Sequence, residues 1–303
     1  MPDKHIPLIM NMIDNIVSPD SRRRKYSDKQ ILKILILLQV FNISYRSSGI
    51  FLENHREYME LIGIAEIPSF QTLSRRSRLL DLHAINMIIQ SMHSVNEIAA
   101  FDSFMVHTCK YTTAERRRKY RNYKDPLSGW SKTTKGWSYG RKCHMSIDID
   151  SLLINEWILT RGNVHDSSVS HELIDSVRNY RYILADSAYD TSEIYDYIFE
   201  NAHSLPVIDT NKRRGIINER LTVNRRIGIE IRNEYSSIYS MRLVIERAFS
   251  ILEGIMGSEN IWYVGNRDYD NIIGLIVITY NLMAISNIKL GDNRREIMKI
   301  VSC

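Results

Sequence analysis

Tyr239-Ser-Met-Arg-Leu-Val-Ile-Glu-Arg-Ala-Phe-Ser-Ile-Leu-Glu253 contains neither Gly nor Pro, and its apolar residues recur at helical spacing. Ile238, Met241, Ile245, Ala248 and Leu252 follow at intervals of 3, 4, 3 and 4, which makes one apolar face able to pack on a sheet. Tyr239, Arg242, Glu246, Phe249 and Glu253 repeat those intervals one position later, about 100° around the axis. Glu246 is therefore expected at the rim of the buried face, where a carboxylate can point along the surface into a shared site.

One carboxylate holds a catalytic divalent cation poorly, so others must come from elsewhere. Asp102 lies inside Ile98-Ala-Ala-Phe-Asp-Ser-Phe-Met-Val106, a run too apolar for a solvated loop. Asp186 closes Tyr182-Ile-Leu-Ala-Asp186 ahead of a Ser-Ala-Tyr turn. Both are carboxylates on strand-like segments. A buried, unpaired charge costs several kcal/mol or is neutralised by protonation, and a metal ion would supply the missing partner.

These residues resemble the DDE-type insertion-sequence transposases, in particular the group described as insertion-sequence families four and five. That group's third-acid signature, Tyr-x2-Arg-x3-Glu-x6-Lys, is matched by Tyr239, Arg242 and Glu246, with Glu253 in place of the final basic residue. Phe101-Asp102-Ser103 resembles the first-acid motif, Ala185-Asp186-Ser-Ala-Tyr189 the second, and Gly162-Asn-Val-His-Asp-Ser167 the group's Gly-Asn-x-His-Asp block. The acids are separated by 84 and then 60 residues. The resemblance covers residues 25 to 287. It implies a ribonuclease-H-like core with the first Asp on the first strand, the second after the fourth, and the Glu on a later helix.

Three oxygen donors without His or Cys suit two Mg²⁺ or Mn²⁺ ions rather than zinc. Asp102 is the candidate bridging ligand, with Asp186 and Glu246 completing the separate ions. Arg242 is a candidate for holding the scissile phosphate or orienting Glu246, and Tyr239 for contacting a flanking nucleotide; packing at the helix edge is the other reading of both. Within the Gly-Asn-Val-His-Asp block, His165 and Asp166 are candidates for a supporting place beside the site. Alternatively His165 makes a loop hydrogen bond and Asp166 or Ser167 caps the next helix. Asp190 is expected to cap a helix beginning at Thr191.

The function expected is that of an insertion-sequence DNA transposase, cutting element ends and joining them to target DNA. The alternatives are a nuclease of the same fold that never joins, or a catalytically silent DNA-binding descendant. Pairing two DNA ends requires two active sites, so a homodimer is expected on DNA.

Composition agrees with a folded cytoplasmic, nucleoid-associated protein. The chain has 303 residues, 44% of them apolar, and three cysteines, odd in number and without CxxC spacing, which suggest neither a disulfide framework nor a zinc site. No signal peptide is legible. The run from residue 272 to 278 is too short to span a bilayer and reads as a buried helix.

The net charge of +5 is unevenly placed. Residues 110–142 carry eleven Lys and Arg against Glu115 and Asp125, a local charge of +9, interleaved with Tyr111, Tyr120, Tyr123, Trp130, Trp137 and Tyr139. That composition suits phosphates and unpaired bases, or else a flexible hairpin insertion. Arg116, Arg117, Arg118, Lys119, Arg121 and Lys142 are its candidate DNA contacts. A second basic stretch, residues 211–236, reads as a loop.

Capping-box spacing at Ser27-Asp-Lys-Gln30 predicts a helix over 28–41. A second helix is predicted over 45–55, and a third follows the cap Ser69 and carries Arg75, Arg76 and Arg78 as candidate DNA contacts. Strands are predicted over 98–106, 143–150, 153–159, 182–185 and 205–208, with helices over 167–179 and 191–200. The fold class expected is α/β, a ribonuclease-H-like mixed sheet flanked by helices and preceded by a small all-α, helix-turn-helix-like N-terminal domain. The domains expected are residues 1–96, 97–290 and a tail, 291–303.

Overall fold

The computed structural model describes residues 2–17, 24–93, 97–120, 125–133, 136–211, 221–255, 257, 266–293 and 297. The chain forms two compact units, one of Met1–His93 with Gly254–Ser258 and Gly265–Cys303, the other of Ser94–Glu253 with Glu259–Val264.

The first unit is helical: α1 (Pro2–Ile16), α2 (Asp28–Val40), α3 (Ser48–Asn54), α4 (Arg56–Ile62), α5 (Phe70–Ser77) and α6 (Leu82–Ser91). Ser27 and Gln30 form the predicted capping box, each side chain bonding the other's backbone N–H. Ser69 caps α5 by accepting from Thr72 N. Every residue of α2 from Ile31 to Leu38 is buried, so this helix is the unit's core.

The C-terminal helix Asn266–Leu290 belongs to this unit and packs on α1, α2 and α6. The sequence reading had placed it in the second domain as a short apolar run. It is instead 25 residues long, and by length and composition its Tyr269–Leu290 span is apolar enough to cross a membrane. Yet most of that span is buried in the fold, including every residue from Ile273 to Asn287, and Asn281 donates to Asn86 Oδ1 at 2.7 Å, as a core helix does.

The second unit is built on a sheet of six strands: β1 (Ile98–His107), β2 (Gly129–Thr133), β3 (Gly136–Asp148), β4 (Ile154–Arg161), β5 (Tyr182–Ala185) and β6 (Leu205–Ile208). One edge of β3 pairs antiparallel with β1, from Ala99↔Asp148 to His107↔Gly140. Its other edge pairs with β2 in its first half and β4 in its second. On the far side β1, β5 and β6 run parallel, joined through α8 (Ser170–Asp175) and α9 (Ser192–Tyr197). Antiparallel strands followed by alternating helix and parallel strand give the expected mixed sheet.

The described part of residues 110–142 is not a free insertion: it forms α7 (Tyr111–Tyr120), β2 and the start of β3, with Trp130 wedged among Tyr111, Tyr139 and Arg118, while residues 121–124 and 134–135 lie outside the described residues. Asp125 and Arg141, both about 95% buried, form a two-pronged ion pair that ties the segment to the sheet. The stretch read as a loop over 211–236 contains α10 (Val223–Glu234), while residues 212–220 lie outside the described residues.

The helix expected over 239–253 is interrupted. It comprises α11 (Ser236–Ser240), α12 (Leu243–Ser250) and a wide turn, Ile251–Ile255. Between the two helices Met241, Arg242, Val244 and Ile245 donate to carbonyls three residues back, which tightens the turn and rephases the stripes. Ile245, Ala248, Phe249 and Leu252 are buried, whereas Ile238 and Met241 are only half-buried.

Candidate active site

Strand alternation divides β1 between two faces. Ala99 and Phe101 enter the core beneath α8 and α9 together with Ile183, Ala185 and Tyr189. Asp102 and Phe104 point the other way, where Phe104 packs on Phe249 of α12 with ring centroids 4.9 Å apart. The helix carrying Glu246 thus lies on the Asp102 face.

Ile98 pairs with Tyr182 and Ala100 with Leu184; Asp102 lies two residues further along β1 and Asp186 directly after β5, near enough for the charge of Asp186 to act on the Asp102 carboxyl. The sheet ends there. Asp186 begins the turn Ser187–Tyr189, its carboxylate accepting from Ala188 N at 2.9 Å. Asp102 Oδ1 accepts from Ser103 N at 2.8 Å and Oδ2 from Arg242 Nη1 at 2.7 Å. Burial, and then the charge of Asp186, push the Asp102 carboxyl up to about 6 against the opposing pull of Arg242 and the Ser103 N–H. Burial likewise raises Asp186. Two adjacent acids resist ionisation, as carboxylates short of positive charge do.

Glu246 does not join them directly. Its side chain is 58% exposed, with Oε1 3.7 Å from Arg242 Nη2. Among the described residues no three His, Cys, Asp or Glu are grouped so as to hold a metal, and Arg242 stands between the third acid and the pair. Tyr239 lies under the guanidinium of Arg232 at 3.7 Å, with that of Arg242 at 5.9 Å; burial raises its hydroxyl pKa.

Behind the site runs a network that the sequence reading found only in part. Asp166 Oδ1 accepts from Ser103 Oγ at 2.7 Å and lies 3.3 Å from Lys142 Nζ and 3.2 Å from His144 Nδ1. Burial alone would raise its carboxyl, but His144, Lys142 and Ser103 hold it at about 2. Lys142, expected to touch DNA, is a half-buried member of this network that also donates to Val164 O. Ser103 and His144 were missed. The signal was the polar alternation Lys142, His144, Ser146, Asp148 along one face of an otherwise apolar strand.

His165 is exposed and caps the turn Asp166–Val169, accepting from Ser167 N. Asp190 is not the cap of α9, which is Thr191. Its buried carboxylate takes two bonds from Arg225, at 2.9 and 2.8 Å, and one from Asn211 N.

Of the candidate DNA contacts, Arg75 and Arg78 are exposed on or just after α5. Arg76 is 7% exposed, donating to Tyr26 O and to Asp28; it is a structural residue. On α7, Arg116, Arg118 and Lys119 are exposed and Arg117 half-buried. Arg121 lies outside the described residues.

Among solved structures the chain matches the cryo-EM structure of the piggyBac transposase synaptic complex with hairpin DNA, with 10% identity, TM-score 0.46, and coverage of 99% of this chain and 76% of that one. No curated protein matches the sequence. Residues 93–282 match the transposase DDE domain family, almost two thirds of the chain and a span holding Asp102, Asp186 and Glu246. This chain therefore belongs to the transposase DDE domain family.

Proposed function

We propose that the protein is a DNA transposase that cuts strands at the ends of a mobile element and joins the freed 3′-hydroxyl to target DNA, using Asp102, Asp186 and Glu246. The observation that carries this reading is that Asp102 on β1 and Asp186, directly after the neighbouring parallel strand β5, share the charge of Arg242, on the face where the helix bearing Glu246 packs.

The donor set fits Mg²⁺ or Mn²⁺. Asp102 and Asp186 are poorly solvated carboxylates whose ionised forms added positive charge would favour, and all three donors are hard oxygens. Asp102, Asp186 and Glu246 would hold the cations. When bound, such ions lower the pKa of an attacking water or 3′-hydroxyl and neutralise charge on the leaving oxygen.

The protein's own groups do the rest. Arg242 offers a planar fork suited to a phosphate, and Tyr239 beside it a ring for a flanking nucleotide. The exposed cations of α7 would follow the backbone of DNA, with Trp130 fixing Arg118 at 5.5 Å. Asp166 holds Ser103, whose N–H orients Asp102. Joining two ends in one complex calls for a homodimer on DNA.

The test incubates the protein and its Glu246→Gln variant with Mg²⁺ or Mn²⁺ and DNA carrying the flanking ends. Cleaved 3′-hydroxyl and joined products that need metal and vanish in the variant are expected. Cutting without joining would replace the proposal with a nuclease, and salt-sensitive binding without products with a silent DNA-binding protein.

A further inference from the structure

The guanidinium of Arg242 lies among all three candidate ligands. It donates to Asp102 Oδ2 at 2.7 Å, approaches Glu246 Oε1 to 3.7 Å, and is attracted by Asp186. The second oxygen of Asp102 is held by Ser103 N, so both oxygens of the candidate bridging ligand are engaged. Arg242 occupies the junction between α11 and α12, one turn before Glu246.

A guanidinium only donates and cannot ligate a cation. A divalent ion and Arg242 cannot share Asp102 Oδ2 without strong like-charge repulsion in a poorly solvated site. We infer that Arg242 is a positioning residue with two partners: without a divalent cation it neutralises Asp102, Asp186 and Glu246, and cation binding displaces it toward a DNA phosphate. Arg242 thereby competes with the first cation and is released to the substrate by it. The inference rests on the metal-dependent reading above and adds an order to it: cation loading readies the phosphate contact, and by reciprocity phosphate binding favours cation loading.

The sign of one measurement decides the matter. Mn²⁺ is titrated into the full-length, metal-stripped protein without DNA, followed by electron paramagnetic resonance or calorimetry, for the unmodified chain, Arg242→Gln, Arg242→Lys and Asp102→Asn. Arg242→Gln is expected to bind Mn²⁺ at least about threefold tighter than the unmodified protein, and Arg242→Lys, which keeps the charge, to stay near it. A merely structural Arg242 would leave a disordered site that binds more weakly, so equal or weaker binding by Arg242→Gln overturns the inference. Circular dichroism establishes that the variants are folded. Should neither the unmodified protein nor Arg242→Gln bind Mn²⁺, or should Asp102→Asn bind it as well as the unmodified protein does, the metal-dependent reading itself falls.

Discussion

Arg242 Nη1 meets Asp102 Oδ2 at 2.7 Å across 140 residues of sequence, yet Asp102 still titrates near 6 rather than below its ordinary value. Burial therefore outweighs the ion pair. An acid whose folded pKa is raised destabilises the fold once it is ionised in both states. The effect is absent below about pH 4, grows as pH rises toward 6, and is complete above it. Asp102→Asn removes that cost while stranding part of the charge on Arg242. The expected net result at about pH 7 is a gain of about 1 kcal/mol, or a few degrees in Tm, vanishing near pH 4. Thermal melts without metal at both pH values check this; a variant less stable at neutral pH would mean that the ion pair dominates.

Asp166 carries the opposite sign. His144, Lys142 and Ser103 hold its carboxyl at about 2, so the stability it adds is present above about pH 4 and lost as pH falls through about 2. Asp166→Asn should cost roughly 2 kcal/mol at neutral pH, with the difference shrinking in acid. Urea unfolding at about pH 7 and about pH 3 reads it. Equal losses at both pH values would show that packing, and not charge, is what Asp166 supplies.

How far the sequence reached follows from what local pattern encodes. Strands β1, β5 and β6 were legible because their apolar runs are short and bounded, and Ser27 and Ser69 announced helices by cap chemistry that operates within four residues. That Asp102 and Asp186 share one site was suggested only by motif order; the parallel register of β1 and β5 is a tertiary fact. The broken helix at Arg242 escaped because periodicity assumes one uninterrupted phase, and the i→i−3 bonds at Met241 and Arg242 reset it. Lys142 and Arg76 were read as DNA contacts because composition counts charges without seeing the half-buried acids, Asp166 and Asp28, that pair with them.

Gly228 of α10 sits against Tyr195, where an added Cβ would lie 2.2 Å from the ring. In an open helix, Gly→Ala stabilises by about 1 kcal/mol. Here the clash with a fully buried ring reverses the sign, and Gly228→Ala should destabilise by about 1–3 kcal/mol. Arg225→Met on the same helix strands the carboxylate of Asp190, whose side chain is 0% exposed, at an expected cost of about 3–5 kcal/mol. Hydrogen exchange over residues 223–234 should rise in both variants; unchanged protection would mean that α10 is held by other contacts.

Arg116 and Arg76 test whether exposure or composition identifies a DNA contact. Both lie in basic clusters, but Arg116 is exposed on α7 whereas Arg76 is 7% exposed and bonded to Tyr26 O and Asp28. Each phosphate contact contributes about −0.9 to the slope of log affinity against log salt on duplex DNA. Arg116→Ala should flatten that slope by about one unit without altering Tm. Arg76→Ala should lower stability by about 3 kcal/mol, because it leaves Asp28 and the Tyr26 carbonyl without their buried donor, and should leave the slope of the remaining folded protein unchanged. Fluorescence anisotropy over a salt series, read beside thermal melts, separates the two. An unchanged slope for Arg116→Ala would move the DNA path away from α7, and a flattened slope for Arg76→Ala would return that residue to the DNA surface.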